Sequence, residues 1–354
     1  VIQVVERIDG VWTQRLQGYL ARAGARAGAS GEHDPRWLEV LREGLGHRPI
    51  ALVAGGNGSA GREEIRGYLP LALVTSRLFG RFLVSLPYLN RAGVVAEDTE
   101  VASELIEQAV ELSEELDVRY LELRHGGVSW QQRALNAARS EKVRMVLGLA
   151  PTPEELWKAI PSKVRNLVRK GDGMGLSIRW GGQELVDDFY RVFAVNMRDL
   201  GTPVYPRRLF GAIVRWLSDR AELAVVDCGG RPVAAALLVH DPGVTQVPSA
   251  SSLRAYNATN ANMWMYYRLL ARAVERGSRE FDFGRSTVDS GTYRFKKQWG
   301  AQPQPTVWQY HLRCGDWSDM RPESPKNRRR VAVWQRLPVW VTRLVGPAIV
   351  RGIP

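Results

Sequence analysis

Residues 280–301, EFDFGRSTVDSGTYRFKKQWGA, constrain the fold more than any other stretch of this chain. A short strand pattern (Phe281, Phe283) runs into a Gly-Arg-Ser turn, and a Ser/Thr/Gly loop then opens a short basic-aromatic helix. Arg285, Ser286 and Thr287 and the pair Lys296 and Lys297 are thereby set at one strand end. In an α/β fold, ligands dock where such ends bring donors together. The same spacing also fits a strand and a helix with ordinary solvated charges.

The remaining chain alternates strand and helix patterns in both halves, which argues for an α/β (α+β) fold with mixed sheets. In the first half, Asp34-Pro35 reads as a helix start ahead of Trp37, Leu38 and Leu41. Strand-like segments 51–55 and 65–74 flank the Gly-rich loop GGNGSAG, an acidic amphipathic helix covers roughly 98–117, and 119–125 reads as a strand. The strand pattern KVRMVLGL (142–149) reads as the crossing point between halves, and Pro151-Thr152-Pro153 marks a boundary. Beyond it come a helix over 153–170 bent at Pro161, a helix through 183–199, a hairpin turned by Gly229-Gly230, and a helix over 260–276 stopped by Gly277. Domains are therefore expected over 1–150 and 151–315, followed by a basic, Trp-containing tail over 316–354. The halves look alike in architecture, with no alignable internal repeat.

At 354 residues and 45% apolar composition the chain has enough core for two domains. Its net charge of +12 is uneven, because residues 321–354 hold eight Lys/Arg against one acid, leaving about +5 for the body. That balance favours anionic partners such as nucleic acid, phosphorylated sugars or lipid headgroups. Cys228 and Cys314 lie too far apart in sequence for a metal-type pair, as in a reduced, cytosolic protein. No signal-peptide pattern and no run long enough for a spanning helix is visible.

Several constellations carry chemistry. The helix over 162–170 places Val164, Leu167 and Val168 on one stripe and Lys163, Arg165, Arg169 and Lys170 opposite. That face suits phosphate or a tRNA backbone, or is simply solvated. Tyr256 and Asn257 sit at a strand-to-helix turn, while the aromatic stripe over 263–270 reads as core. His125 and His240 read as structural, and no metal site, HExxH or GxSxG elbow is present. The tail mixes Trp334 and Trp340 with spaced arginines. It is expected either to contact an anionic membrane through 321–354 or to pack back on the body.

W-x-x-I-P-S-K-V-R-N-x-V-R-K (157–170), N-x-x-x-Y-Y-x-L-L from Asn262, and F-D-F-G-R-S…Y-R-F-K-K-x-W-G (281–300) together resemble the FemAB family. With L-P-L-x-x-x-x-S-x-L-F-G (69–80) and the basic tail, the chain is similar to FemAB-related proteins of PEP-CTERM/exosortase exopolysaccharide loci. The resemblance implies two tandem GNAT-like domains and a transferase forming an amide on a cell-envelope, peptidoglycan-type or exopolysaccharide precursor. It implies aminoacyl-tRNA as donor, and it puts on Lys296 the family's contact to the reacting carbonyl. An ammonium near an ester carbonyl stabilises the oxyanion that forms on attack.

Around Lys296, Asp282 or Asp289 is the candidate base, and Arg285, Ser286, Tyr256, Asn257, Tyr293 and Lys297 are candidate substrate contacts. No resident cofactor is expected. Acyl-CoA is the less favoured donor, because the turn over 254–262 lacks the glycines of a pyrophosphate loop and the similar string at 170–175 ends a helix. The coiled-coil arm that some Fem proteins carry is absent. An acyl-CoA-dependent N-acyltransferase acting on an amino sugar and a non-catalytic GNAT-fold scaffold stand as alternatives. The expected place is the cytoplasm, peripheral at the inner face of the membrane.

Overall fold

A computed structural model describes residues 1–24, 27–57, 63–127, 129–313 and 325–354. The centre of the Gly-rich loop (58–62), Cys314 and the start of the basic tail (316–324) lie outside the described residues.

In chain order the elements begin with β1 (Ile2–Val5), α1 (Gly10–Ala23), α2 (Arg36–Leu45), β2 (Arg48–Asn57) and β3 (Glu63–Ser76). Next come β4 (Gly80–Val84), β5 (Val95–Ala96), α3 (Thr99–Glu115), β6 (Tyr120–His125) and β7 (Ala137–Arg139). They are followed by β8 (Lys142–Gly148), α4 (Pro153–Ala159), α5 (Ser162–Asp172), β9 (Leu176–Gly181), α6 (Val186–Leu200) and α7 (Arg207–Trp216). The chain continues with β10 (Ala221–Cys228), β11 (Arg231–Asp241), β12 (Val244–Ser252), α8 (Ala261–Glu275), β13 (Glu280–Thr287) and α9 (Gly291–Lys297). It closes with β14 (Gln302–Pro305), β15 (Val307–Leu312), α10 (Pro325–Arg336) and α11 (Val339–Val350).

Two compact units result. One comprises Val1–Ser140, Pro305–Arg321 and Arg351–Pro354, and the other Glu141–Gln304 and Pro322–Val350. The first sheet has the order β1-β2-β3-β4-β6-β15-β7, with β5 on β3, and the second β9-β10-β11-β12-β13-β8-β14. Position by position the two orders match, and each sheet has a parallel pair at its centre, β4 with β6 and β12 with β13. The chain is thus two tandem units sharing a topology that no sequence repeat reveals.

The units divide at 140/141 and 304/305, whereas the sequence suggested 150 and 315. Strand pairing is the reason: β8 lies antiparallel to β13 in the second sheet, and β15 lies antiparallel to β6 in the first.

Local signals explain most elements. Asp98 caps α3 by accepting from the Val101 amide, and α3 then lays Val101, Leu105 and Ile106 on the first sheet. A Cβ on Gly67 would come within 2.6 Å of Val101 and 2.8 Å of Leu105, so glycine is what lets α3 approach β3. The expected helix over 153–170 is two helices, α4 and α5, because Pro161 cannot continue the first. Gly229 and Gly230, at φ +57° and +73°, close the β10–β11 hairpin as a left-handed two-residue turn requires.

In the second unit α5 and α8 cover one face of the sheet, packing on Ala224, Val226, Ala234, Ala236 and Leu238. The alternate residues of these strands point to the opposite face. There α6 and α7 pack, held together by Phe189, Phe193 and Phe210 with ring centroids 4.7 and 4.8 Å apart. α10 and α11 lie on α6. Arg198 Nη1 donates to the Leu337 carbonyl, Gln335 donates to the Asp199 carbonyl, and Arg343 stacks 5.2 Å from the Tyr190 ring. The described part of the basic tail therefore packs back onto its unit. Among the described residues no helix is long and apolar enough to cross a membrane.

Candidate active site

The centre of the second sheet contains a fork. β12 and β13 run parallel and pair only from Val244–Gln246 to Glu280–Asp282. Past Asp282, β13 stays on β8, but its register shifts between Asp282 and Arg285. Gly284 makes this bulge possible with φ +76°, and its amide donates to Asp282 Oδ1 at 2.8 Å. At the bulge the Gly284 and Arg285 carbonyls are open to a donor from α9.

α9 starts at Ser290, whose hydroxyl accepts from the Tyr293 amide. It is fastened to β13 by aromatic contacts. The Tyr266 ring of α8 lies 5.6 Å from Phe283, 4.9 Å from Phe295 and 6.1 Å from Trp299. This clamp carries Lys296 back over the bulge. Its Nζ donates to Gly284 O at 3.0 Å and Arg285 O at 2.9 Å, and the side chain is buried. An ammonium has three donors, so two are spent on backbone and the third has no partner among the described residues. Burial lowers the Lys296 pKa to about 8, a shift opposed by the Asp282 charge and reinforced by Arg285.

Asp282, only 3% exposed, anchors the floor. Beside its bond from Gly284, its Oδ2 lies 3.3 Å from Arg144 Nε, and Arg144 Nη2 donates to Gln304 at 2.6 Å. One residue beyond Arg285 on β13, the hydroxyl of Ser286 is buried without a hydrogen-bond partner. A buried hydroxyl without a partner is costly unless a ligand completes it.

The structure thus brings together Asp282, Arg285, Ser286, Tyr293 and Lys296 on β13 and α9. The other candidates stand elsewhere on the unit. Lys297 is exposed with Nζ 5.7 Å from the Tyr293 ring, and Asp289 is exposed at φ +61° in the turn before α9. Tyr256 is half-buried and Asn257 exposed in the 3-10 turn Arg254–Thr259 that follows β12. Lys163, Arg169 and Lys170 are exposed and Arg165 half-buried on α5. Val164 and Val168 face α8, and Gly171 sits so close that a Cβ would meet Trp264 at 2.9 Å. None of the four cations is bonded to β13 or α9 among the described residues. His240, read as structural, bonds Thr245 at 2.8 Å and lies 3.4 Å from Glu222 at the opposite end of β11.

Sequence reasoning missed Arg144 and Gln304. The one signal was an arginine within the apolar strand pattern KVRMVLG, and its partner lies 138 positions away in Asp282.

The first unit has the same fork but closes it. There Phe82–Val84 pair with Tyr120–Glu122, which puts Glu122 at the step held by Asp282. Arg124 fills the space beyond: Nε donates to Glu122 Oε1 at 2.6 Å, Nη1 to Leu89 O at 2.6 Å, and its guanidinium lies 4.1 Å from the Trp308 ring centroid. Ser85 Oγ, which accepts from the Arg124 amide at 2.7 Å, completes the closure.

Residues 160–297 match the family described as an acetyltransferase (GNAT) domain. The likeness is thus confined to one continuous part of the second unit. The matched residues include β12, β13 and α9, so the fork and Lys296 lie inside it, and the match supports an N-acyltransferase. Among solved structures, FemX superposes with a TM-score of 0.65 at 14% identity, over 90% of this chain and 98% of that one. L-PGS from Bacillus licheniformis gives 0.52 at 12% identity, over 93% and 96%. The C-terminal domain of a putative lysylphosphatidylglycerol synthetase from Agrobacterium fabrum gives 0.50 at 13%, over 85% and 93%. At these identities the likeness establishes a shared fold across nearly the whole chain. Among proteins of curated function, no sequence match is found.

Proposed function

We propose that the second unit transfers an aminoacyl group from aminoacyl-tRNA to an amine on a phosphate-linked cell-envelope or exopolysaccharide precursor. The observation that carries this reading is Lys296, buried over the bulge with two N–H groups on backbone carbonyls and a third unspent. The donor carbonyl sits against that third N–H and the Ser286 hydroxyl. The acceptor amine attacks the carbonyl carbon, a C–N bond forms, the C–O bond to the carrier breaks, and the amine proton passes to the departing oxygen through solvent. Lys296 stabilises the oxyanion in a water-poor site, where a preorganised donor is worth most.

Of the two carboxylates, Asp282 has both oxygens engaged, one by the Gly284 amide and one by Arg144, so its part is to position the bulge. Asp289 is solvent-exposed and can take protons only by way of water. Arg285 orients substrate beside Ser286, Tyr256 and Asn257 border the end of β12, and Tyr293 with Lys297 lines α9. The α5 cations hold donor or acceptor phosphate.

The turn before α8 supports tRNA over CoA. It is a glycine-free 3-10 turn, and the Ala261 amide that would start an anion cradle is already bonded to Thr259 Oγ1 at 3.3 Å. The acetyltransferase match favours the second reading, an acyl-CoA-dependent N-acyltransferase of an amino sugar. A neighbour that is a putative lysylphosphatidylglycerol synthetase supports precursors at a lipid surface, as expected at the inner membrane face and for exopolysaccharide loci of the PEP-CTERM type.

The test titrates purified protein and Lys296→Ala with charged tRNA, uncharged tRNA and acetyl-CoA, at low and about 150 mM salt. A preference for charged tRNA that survives the salt and weakens in the variant is expected. Binding to acetyl-CoA alone would establish the second reading, and binding to none of them would leave a scaffold.

A further inference from the structure

α11 packs against the rest of its unit with its small residues and shows its large apolar ones to water. Thr342, Gly346 and Val350 form the buried stripe, at four-residue spacing. A Cβ on Gly346 would come within 2.8 Å of the Val204 amide, so this face is pressed against backbone. On the other side Trp340 is 69% exposed, Leu344 73% and Val345 41%. A surface helix ordinarily turns its bulky apolar side chains inward. Here Trp340 and Leu344, four residues apart and on one stripe, have nothing of this unit over them. Val333 of α10 is exposed as well, at 61%.

The sequence of the two helices carries charge of one sign. From Pro325 to Val350 the sequence holds Lys326, Arg328, Arg329, Arg330, Arg336 and Arg343 and no acid. The nearby carboxylate of Asp187 already takes two hydrogen bonds from Arg207. Exposed tryptophan and leucine beside arginine, on a twelve-residue helix too short to span a bilayer, fit the chemistry of a lipid headgroup boundary. A protein partner of a basic face would offer acids; an anionic bilayer offers both the negative charge and the apolar layer beneath it.

We infer that α10 and α11 form a docking surface for an anionic lipid bilayer, with Trp340 and Leu344 entering the headgroup boundary and the arginines lying over lipid phosphates. This surface is independent of the acyl-transfer reading, since neither helix supplies a residue to the fork.

Sedimentation of the full chain with vesicles tests it, comparing phosphatidylglycerol-containing vesicles with pure phosphatidylcholine. Binding to the anionic vesicles that weakens with salt is expected, and Arg336→Glu should reduce it about fivefold. The double variant Trp340→Ser/Leu344→Ser alters exposed positions only and should keep its circular dichroism while losing about tenfold or more in vesicle affinity. Lys296→Ala should bind vesicles as the parent does. Three results would overturn the inference: no binding to anionic vesicles at low salt; binding unchanged in the double variant; or retention by RNA with none by vesicles. A concentration-dependent dimer that the double variant abolishes would replace the bilayer with a second copy of the chain.

Discussion

The Arg144 guanidinium stands 3.3 Å from the Asp282 carboxylate, and neither side chain is more than 7% exposed. The pair ties β8 to β13 directly under the bulge that holds Lys296. Removing one partner of a buried pair leaves the other uncompensated, which costs about 3–5 kcal/mol. Arg144→Met should therefore lower unfolding free energy by about that amount in denaturant titration. Arg144→Met/Asp282→Asn should recover part of the loss, and additive costs in that cycle would contradict a direct coupling.

Lys296 makes stability and activity respond to pH in opposite senses. Below about pH 8 the lysine is protonated in the folded and unfolded chain alike, and burying its charge costs stability. Between about pH 8 and 10.5 the unfolded chain binds the extra proton, so this residue's contribution to stability rises with pH. The gain should approach about 3 kcal/mol and be missing in Lys296→Met. Turnover depends on the ammonium and should fall as pH rises through about 8, with Lys296→Ala down about 10²-fold at neutral pH.

Glu222 is the acid-sensitive point of the second unit. Burial pushes its pKa up, but hydrogen bonds from Arg272, the His240 ring 3.4 Å away and the Arg272 and Arg276 charges outweigh that and hold it well below the usual carboxylate range. The depressed carboxylate contributes stability above its ordinary pKa, lost as pH falls below about 4.5. Glu222→Gln should be destabilised at neutral pH and lose less on acidification, as thermal melts across that range will show.

Gly171 sets the distance between α5 and α8. A Cβ there would lie 2.9 Å from Trp264 Cβ and 3.0 Å from its ring, so Gly171→Ala should cost about 1–3 kcal/mol through overpacking. Because the shift moves the helix carrying Lys163, Arg165, Arg169 and Lys170, it should also weaken tRNA binding and flatten its salt dependence, measured by filter binding.

Local chemistry made much of this legible in the sequence. The β13–α9 segment could be read because strand, bulge glycine, Ser cap and aromatic clamp lie within twenty-odd consecutive residues. The Asp98 cap of α3 and the Gly229-Gly230 turn were likewise local. The placements of β8 and β15 were not legible, since each is decided by a partner more than a hundred residues away. Arg144 was hidden for that reason, as was the division of the units. The tail's sequence left membrane contact and packing on the body both open, because nothing in it showed that α11 buries Thr342 and Gly346 rather than Trp340 and Leu344.

A donor carbonyl that meets the Lys296 ammonium changes its surroundings, and NMR of lysine labelled at the side-chain terminus reads that group directly. One lysine, absent in Lys296→Arg, should titrate near pH 8, and its resonance should shift when charged tRNA is added and stay in place with uncharged tRNA. A Lys296 that titrates near 10.5, or one that charged tRNA leaves unmoved while binding, would contradict the proposed carbonyl contact.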